Sequence, residues 1–268
     1  MNLERRKATL AAAAVLGGSF LAGLLRPGTL LAAWNQQAFD ANNLQDALGA
    51  LRIANPAQSG DVLIDAPDIA ENSRFVPVQI TSGIPGTQSI AIFVDRNPFP
   101  HIARFDFAPG TLAFVALRLR IAETSPVRVV VRAGNSYYVA MKEVRVTVGG
   151  CSDTSGPATA PVATKVEAIK ILAKLEGGVA NVRALLSHPM ENGLHKDATG
   201  RLIPEHFIQT LDVKLNGKAV VEAQIGRSVS TNPLFAFKVP GARAGDRFTL
   251  TWRDNKGLAR SDEIAVTG

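Results

Sequence analysis

Short stretches rich in β-branched and aromatic residues, separated by glycine, proline and asparagine, constrain the fold of this chain more than any other feature. They occupy residues 62–64, 75–81, 89–94, 111–121, 126–132 and 137–148. Many short strands at such spacing are typical of an antiparallel sandwich. The sequence therefore predicts a mainly β protein whose first domain, residues 38–151, is an immunoglobulin-like β-sandwich.

A second β-rich region, residues 178–268, predicts a second immunoglobulin-like antiparallel β-sandwich. Ala180, Val182 and Ala184 alternate with more polar residues, as in a half-buried strand. We expect Phe248 and Trp252 in the core of this domain.

Asn216-Gly217 lies between two strand-like runs and predicts a hairpin. Leu211 and Val213 must share a face of the sheet with Ala219 and Val221. Residues directly opposite each other share a face, so the numbers of each opposite pair add up to an even number and the loop must contain an odd number of residues. We therefore expect a three-residue loop, Leu215-Asn216-Gly217, with Gly217 in the left-handed conformation.

Two short helices are expected beside the strands. The first contains the apolar residues Phe39, Leu44, Ala47, Leu48 and Leu51, with Asp40, Asn42 or Asn43 as the N-cap and Asn55-Pro56 as the stop. The second lies in a linker over residues 152–177, whose polar first part marks a domain boundary. There Val166, Ile169, Leu172 and Leu175 recur at helical spacing.

The first 33 residues resemble an export signal. Arg5-Arg6 precedes an apolar stretch from Ala8 to Leu25, and the small pair Ala32-Ala33 follows at a suitable distance for cleavage. A membrane anchor is the alternative, but several glycines keep the stretch only mildly apolar. An arginine pair before weak hydrophobicity favours twin-arginine export. We therefore expect a periplasmic protein, with no membrane contact after removal of the signal.

Cys151, the single cysteine, follows Gly149 and Gly150 at the end of a strand-like run. A free cysteine is often buried, but the polar residues after it offer no apolar surface to cover it, so exposure is favoured. In an oxidising compartment it is either a reactive thiol or an intermolecular partner. No histidine or lysine lies within five residues, so the thiol should keep a pKa near roughly 8.5 and be activated by a partner protein.

Charge and the remaining motifs exclude several function classes. The net charge is +6, but without a dense basic run or an aromatic platform it does not indicate nucleic-acid binding. Copper or zinc ligands are conceivable, yet the gap between His188 and His195 is not a standard ligand spacing, so no metal and no cofactor is expected. The candidates for such a site are His101, His188, Met190, His195 and His206.

Several motifs carry a resemblance to known families. In the first domain, the motifs that resemble the sulfur-carrier subunit SoxY are Ile69-Ala70-Glu71-Asn72, Val76-Pro77-Val78, Asn97-Pro98-Phe99-Pro100 and Val146-Thr147-Val148-Gly149-Gly150-Cys151. In the second, the motifs that resemble its partner SoxZ are His188–Gly193, Asp197–Gly200, Ile203–Ile208, Asn216-Gly217, Val229–Pro233 and Trp252–Gly257. Together they resemble the fused SoxYZ-like carriers found beside quinoprotein dehydrogenases.

The resemblance implies a periplasmic carrier and not an enzyme. Sulfur intermediates, thiosulfate or sulfane sulfur, would be held covalently on Cys151, with Gly149 and Gly150 as a flexible arm. The implied partners are haem-type and hydrolase-type sulfur-oxidising enzymes or a quinoprotein dehydrogenase. Within the chain, the two domains are expected to dock with each other. One departure matters: Ser152-Asp153 replaces the family's final glycines, and the chain continues into the second domain. Three residues beyond Val148 reach only about 10 Å.

Two other functions remain open at this point. One is a noncatalytic interaction or delivery module associated with a periplasmic quinoprotein dehydrogenase, in which Cys151 is vestigial. The other is a thiol enzyme of peroxidase type, which needs a base near the sulfur and has none in the neighbouring sequence.

Overall fold

A computed structural model describes residues 33–147 and 169–268. Trp34–Gly268 forms one compact unit. Within the described ranges, neither helix has the length and apolar character needed to cross a bilayer.

Sixteen strands and two short helices make up the described part of the chain. The helices are α1 (Gln36–Asp40) and α2 (Leu44–Ala50). The strands are β1 (Ala57–Gln58), β2 (Val62–Asp65), β3 (Ile69–Ala70), β4 (Val76–Ser82), β5 (Thr87–Val94), β6 (His101–Phe107), β7 (Phe114–Leu119), β8 (Ser125–Ala133), β9 (Ser136–Val146), β10 (Lys170–Glu176), β11 (Val179–Leu185), β12 (Ile208–Leu215), β13 (Lys218–Ile225), β14 (Leu234–Pro240), β15 (Arg247–Asp254) and β16 (Ala259–Ala265).

The strands form two sheets, which confirms the mainly β sandwich class. The larger sheet has the order β1-β9-β8-β5-β6-β13-β12-β15-β16, with β3 also paired to β9. The smaller has the order β10-β11-β14-β7-β4-β2. Residues that alternate along each strand point into one shared core. Phe248 and Trp252 lie in that core, as expected from the sequence.

Both sheets run without interruption from one half of the chain into the other. Strand β6 of the first half pairs antiparallel with β13 of the second, from Ala103 opposite Ile225 to Phe107 opposite Val221. In the smaller sheet, β7 pairs with β14. The ring of Phe105 packs between the sheets against Phe235 and Phe237. The two halves thus dock with each other through backbone hydrogen bonds and a common core. The sequence predicted docking of two domains but not these continuous sheets.

The strand that makes the longer of these junctions was missing from the sequence prediction. β6 alternates Ala103, Phe105 and Phe107, which are buried, with the charged residues Arg104 and Asp106. Its polar positions form a bidentate ion pair with each other on the outer face. The strand follows a Pro-rich turn, and that turn obscured its start.

The prediction of a single N-terminal helix was wrong. The chain forms two helices because Ala41 has an extended conformation between them. Asn43 is the N-cap of α2, accepting a hydrogen bond from the Asp46 amide. Helix α2 covers the outer face of the larger sheet in the first half, where Ala47 packs with Phe93 and Val130.

The linker helix was also predicted wrongly where the structure describes it. Residues 170–176 form strand β10, paired with β11 over all seven positions. Ile171 and Ala173 are buried while Leu172 points outward. These residues therefore follow the two-residue alternation of a strand and not the spacing of a helix. The rest of the predicted linker, residues 152–168, lies outside the described residues.

The hairpin between β12 and β13 has a two-residue loop, not the three-residue loop that was predicted. Leu215 pairs with Lys218, so the loop contains only Asn216 and Gly217, both with positive φ. The pairing register shifts between Val213 and Lys214, so β13 has one extra residue there. This bulge, and not the loop, keeps Val213 opposite Val221.

Gly226, directly after β13, allows a close approach between the two halves. A Cβ atom there would lie 2.7 Å from the His101 carbonyl oxygen and 2.8 Å from Phe39 Cδ1. We expect Gly226→Ala to lower the free energy of unfolding by about 1–3 kcal/mol in urea denaturation, because backbone must shift to admit the methyl group. Gly49→Ala in α2, where no atom lies within 4 Å, is the control and should be neutral or slightly stabilising. Equal effects of the two substitutions would contradict this account.

The shared sheets predict that the halves stay together without a covalent link. A protease site inserted between Ser152 and Pro161 should give, after cleavage, two fragments that coelute at the position of the intact protein in size-exclusion chromatography. After the same cleavage in Gly226→Ala, the fragments should dissociate from each other already at a higher protein concentration than the wild-type fragments do, because the junction is weaker. Separation of the wild-type fragments at micromolar concentration would contradict the prediction.

Candidate functional site

The predicted attachment residue Cys151 and its glycines Gly149 and Gly150 lie outside the described residues, as does the predicted export signal up to residue 32. The structure does describe the strand that leads to them. β9 ends at Val146, and Val144 is fully buried in the core. The strand predicted from the alternating valines is therefore confirmed as far as Val146.

The end of β9 is held from two sides. Strand β3 pairs in parallel with it, placing Ile69 opposite Arg145 and Ala70 opposite Val146. On the other side, the Val146 amide donates to Thr124 Oγ1 at 3.2 Å. Thr147, the last described residue of the first half, is thus four residues from Cys151 and starts from a fixed position.

A buried asparagine organises the loop that carries Thr124. The Asn97 side chain donates to the Arg120 carbonyl oxygen and accepts from the Ala122 amide, both at 2.8 Å. Asn97 is 3% exposed, so this residue of the SoxY-like motif is bonded within the chain.

Arg120 connects the same loop to the second half. Its guanidinium donates to the Met190 carbonyl oxygen and to Thr231 Oγ1, both at 2.6 Å, and its amide donates to the Ser228 carbonyl oxygen. Nothing in the sequence marked this arginine. Since an arginine is rarely buried without partners, the second half completes the environment that Arg120 requires.

The four histidines among the candidate metal ligands have different environments. His188 and His206 approach each other and Asp254, with all three ligand atoms within 4.8 Å. His195 instead lies 2.8 Å from Glu191 through Nδ1. His101 lies elsewhere, stacked between Phe39 and Phe93 in the first half.

The cluster of His188, His206 and Asp254 does not fit a metal. His188 Nδ1 accepts the Met190 amide hydrogen at 3.1 Å, so the proton of the neutral ring is on Nε2, the atom facing Asp254. Burial, and next the nearby His206, lower the pKa of His188 to about 4, so the ring is neutral at physiological pH. A metal would have to displace that Nε2 proton.

Asp254 has a structural role that accounts for its buried charge. Its Oδ1 accepts from the amides of Lys256 and Leu258, and its Oδ2 faces the two imidazoles. Burial alone would raise the pKa of Asp254, but these hydrogen bonds lower it overall. Sequence reasoning missed this residue, although it lies in the quoted Trp252–Gly257 motif. Met190 is likewise occupied, since its sulfur accepts the Ile208 amide at 3.4 Å.

Comparison with known families identifies both halves. The sulfur oxidation protein SoxY model matches residues 45–151, and the sulphur oxidation protein SoxZ model matches residues 169–265. The chain is a fused SoxYZ protein. The family matches support a carrier role in sulfur oxidation.

Two solved structures give a more limited comparison. The sulfur carrier protein SoxY from Chlorobium limicola f thiosulfatophilum is 43% identical over 40% of this chain and 97% of its own, with a TM-score of 0.37. A beta-glycosidase from Bacteroides vulgatus is 10% identical over 83% of this chain and 26% of its own, with a TM-score of 0.25. No curated protein matches the fused SoxYZ chain.

Two family motifs of the fused SoxYZ chain make hydrogen bonds between its halves. The Ser230 hydroxyl donates to the Arg74 carbonyl oxygen at 2.7 Å, and the Ser228 hydroxyl donates to the Phe99 carbonyl oxygen at 3.3 Å. Ser230 belongs to the Val229–Pro233 motif and Phe99 to Asn97–Pro100. One motif of each family therefore contributes to the docking of the two halves.

Two buried imidazoles predict acid sensitivity. Burial, with a smaller effect of Arg104, lowers the pKa of His101 to about 3, and His188 is lowered to about 4. In the unfolded chain both imidazoles bind protons near pH 6.5, whereas in the folded chain they stay neutral to a lower pH. The stability present above pH 6.5 is therefore lost as the pH falls toward 4.

His101→Phe should remove about half of this pH dependence. Neither ring nitrogen of His101 has a hydrogen-bond partner among the described residues, and phenylalanine preserves the stack between Phe39 and Phe93. We expect the variant to gain on the order of 3 kcal/mol over wild type at pH 4, relative to pH 7.5. Urea denaturation at both pH values measures this. An unchanged pH slope would show that His101 is not buried as a neutral ring.

Proposed function

We propose that this fused SoxYZ protein is a periplasmic covalent carrier that holds sulfur intermediates on Cys151 and presents them to separate enzymes. The observation that supports it most directly is the pair of family matches, one of which ends at Cys151. The proposal includes export by the twin-arginine route, with the first 33 residues as the signal.

The anchoring of β9 is consistent with a carrier arm. A cysteine that must meet the active sites of other proteins needs a fixed starting point and a short stretch of chain beyond it. The parallel pairing with β3 and the Val146–Thr124 hydrogen bond supply the first, and the four residues from Thr147 supply a reach of about 14 Å.

The described residues support a carrier over an enzyme. The group of possible metal ligands found there, His188, His206 and Asp254, is engaged in hydrogen bonds that close a loop. Joining a thiol to the terminal sulfur of thiosulfate forms an S–S bond and releases two electrons and a proton. The carrier therefore depends on a partner that accepts the electrons, which we assign to a haem-type sulfur-oxidising enzyme, with hydrolase-type enzymes acting on the loaded arm.

Intact-mass measurement on protein isolated from its native compartment tests the proposal. We expect a fraction of molecules with added mass that corresponds to sulfur or thiosulfate, lost on reduction and absent in Cys151→Ser. The matched control is Ser152→Ala, which should keep the additions. An unmodified thiol under sulfur-oxidising growth, together with a normal phenotype of Cys151→Ser, would contradict the carrier. That result would favour a noncatalytic delivery module for a periplasmic quinoprotein dehydrogenase.

A further inference from the structure

The outer face of the smaller sheet is uncovered by any described element. On the larger sheet, α2 covers the outer face of the first half. On the smaller sheet, strands from both halves contribute to one open surface that crosses their junction. At its centre lies a groove of about 620 Å³, called here the junction groove and defined by Phe114, Ala116, Leu172, Arg183, Ala236 and Lys238.

The shape of the junction groove follows from strand register. Leu172 lies opposite Arg183, Arg183 opposite Ala236, and Ala236 opposite Ala116. Two alanines therefore form the floor at the junction of the halves, and long side chains flank them. The groove is complete only when the halves are paired, because Ala116 and Ala236 come from different families' domains.

The charges around the junction groove are mostly uncompensated. Lys174 lies 3.3 Å from Glu176, but Arg118 and Arg183 form no ion pair with any described residue. Lys238 lies 4.4 Å from the centre of the Phe114 ring, a contact that orders the cation without neutralising it. The groove therefore presents an excess of positive charge.

An apolar anchor lies within this positive rim. Leu172 is 69% exposed, the largest exposed fraction among the large apolar residues of the described chain. It belongs to β10, the first strand after the segment that contains Cys151. A cationic groove around an exposed leucine is the arrangement expected of a surface that pairs with acidic groups and an apolar contact on another protein.

We propose that the junction groove docks an acidic segment of a partner protein, with Leu172 as the apolar contact and Arg183 and Lys238 as the recognising cations. A second copy of this chain is a poor occupant, because its net charge opposes approach to a cationic groove: it is +6 for the whole chain and, less the +3 of residues 1–33, still +3 after removal of the signal. The chain's own residues 152–168 contain only two acidic side chains, Asp153 and Glu167, and one lysine. The docking is independent of the cargo on Cys151.

Photo-crosslinking in the native host locates the partner. A benzophenone amino acid replaces Leu172 in the full chain, and Met141, which is 45% exposed on the larger sheet, receives it as the control position. We expect one dominant adduct from position 172 that position 141 does not give, both with Cys151 and with Cys151→Ser. Persistence in Cys151→Ser separates this proposal from the carrier proposal, since docking can hold where loading fails.

Charge reversal then tests the recognition. With the purified partner, Arg183→Glu combined with Lys238→Glu should weaken binding at least about tenfold and reduce its salt dependence. Lys218→Glu combined with Arg260→Glu, exposed and outside the groove, should leave binding unchanged. The proposal is overturned by the absence of a position-specific adduct, by an adduct within the chain or with a second copy, or by equal binding of both double variants.

Discussion

The structure depends above all on the pairing of β6 with β13. A β-strand at a sheet edge presents unpaired amide and carbonyl groups, and each half of this chain has such an edge where the other half binds. The pairing satisfies both edges at once and merges two cores into one. Association is therefore closer to the completion of a sheet than to the contact of two finished surfaces. Gly226 shows how tight this junction is, since the backbone and Phe39 leave no space for a Cβ.

Buried polar groups reinforce the same junction and add specificity to it. Arg120 obtains two of its partners, the Met190 carbonyl and Thr231, from the second half. Arg227 of the second half makes the reciprocal contact, because it forms an ion pair with Asp40 of α1 in the first half. It also pairs with Glu205 of its own half. A buried arginine deprived of its partners destabilises a protein by several kcal/mol, on the order of 3–5. Covalent fusion favours the docked state in which these partners are present, because it raises the effective concentration of the two halves to roughly millimolar.

Sequence reasoning was successful where one pattern prevailed and failed where two competed. Alternation alone predicted β11 through Ala180, Val182 and Ala184, and the core position of Trp252 followed from composition. In β10 a helical spacing overlapped an alternating one, and only pairing with β11 distinguishes them. How the halves dock lay beyond the sequence, because the start of β6 is hidden by a Pro-rich turn and Arg120 looks like an ordinary surface arginine. Their roles arise from groups more than 60 residues away.

Continuation of the chain beyond Cys151 restricts the carrier less than it first suggests. Cys151 is four residues from Thr147 but eighteen from Ile169, so the two tethers allow about 14 Å and about 60 Å. The short tether sets the radius, and it is the same tether that a free-ended arm would have. The difference from a free-ended arm is in the cross-section of the chain around Cys151, because two chain segments instead of one must enter a partner's cleft. The proposed carrier function therefore requires a partner with a wider opening rather than a shallower active site, and the docking proposed for the junction groove would align that opening with Cys151.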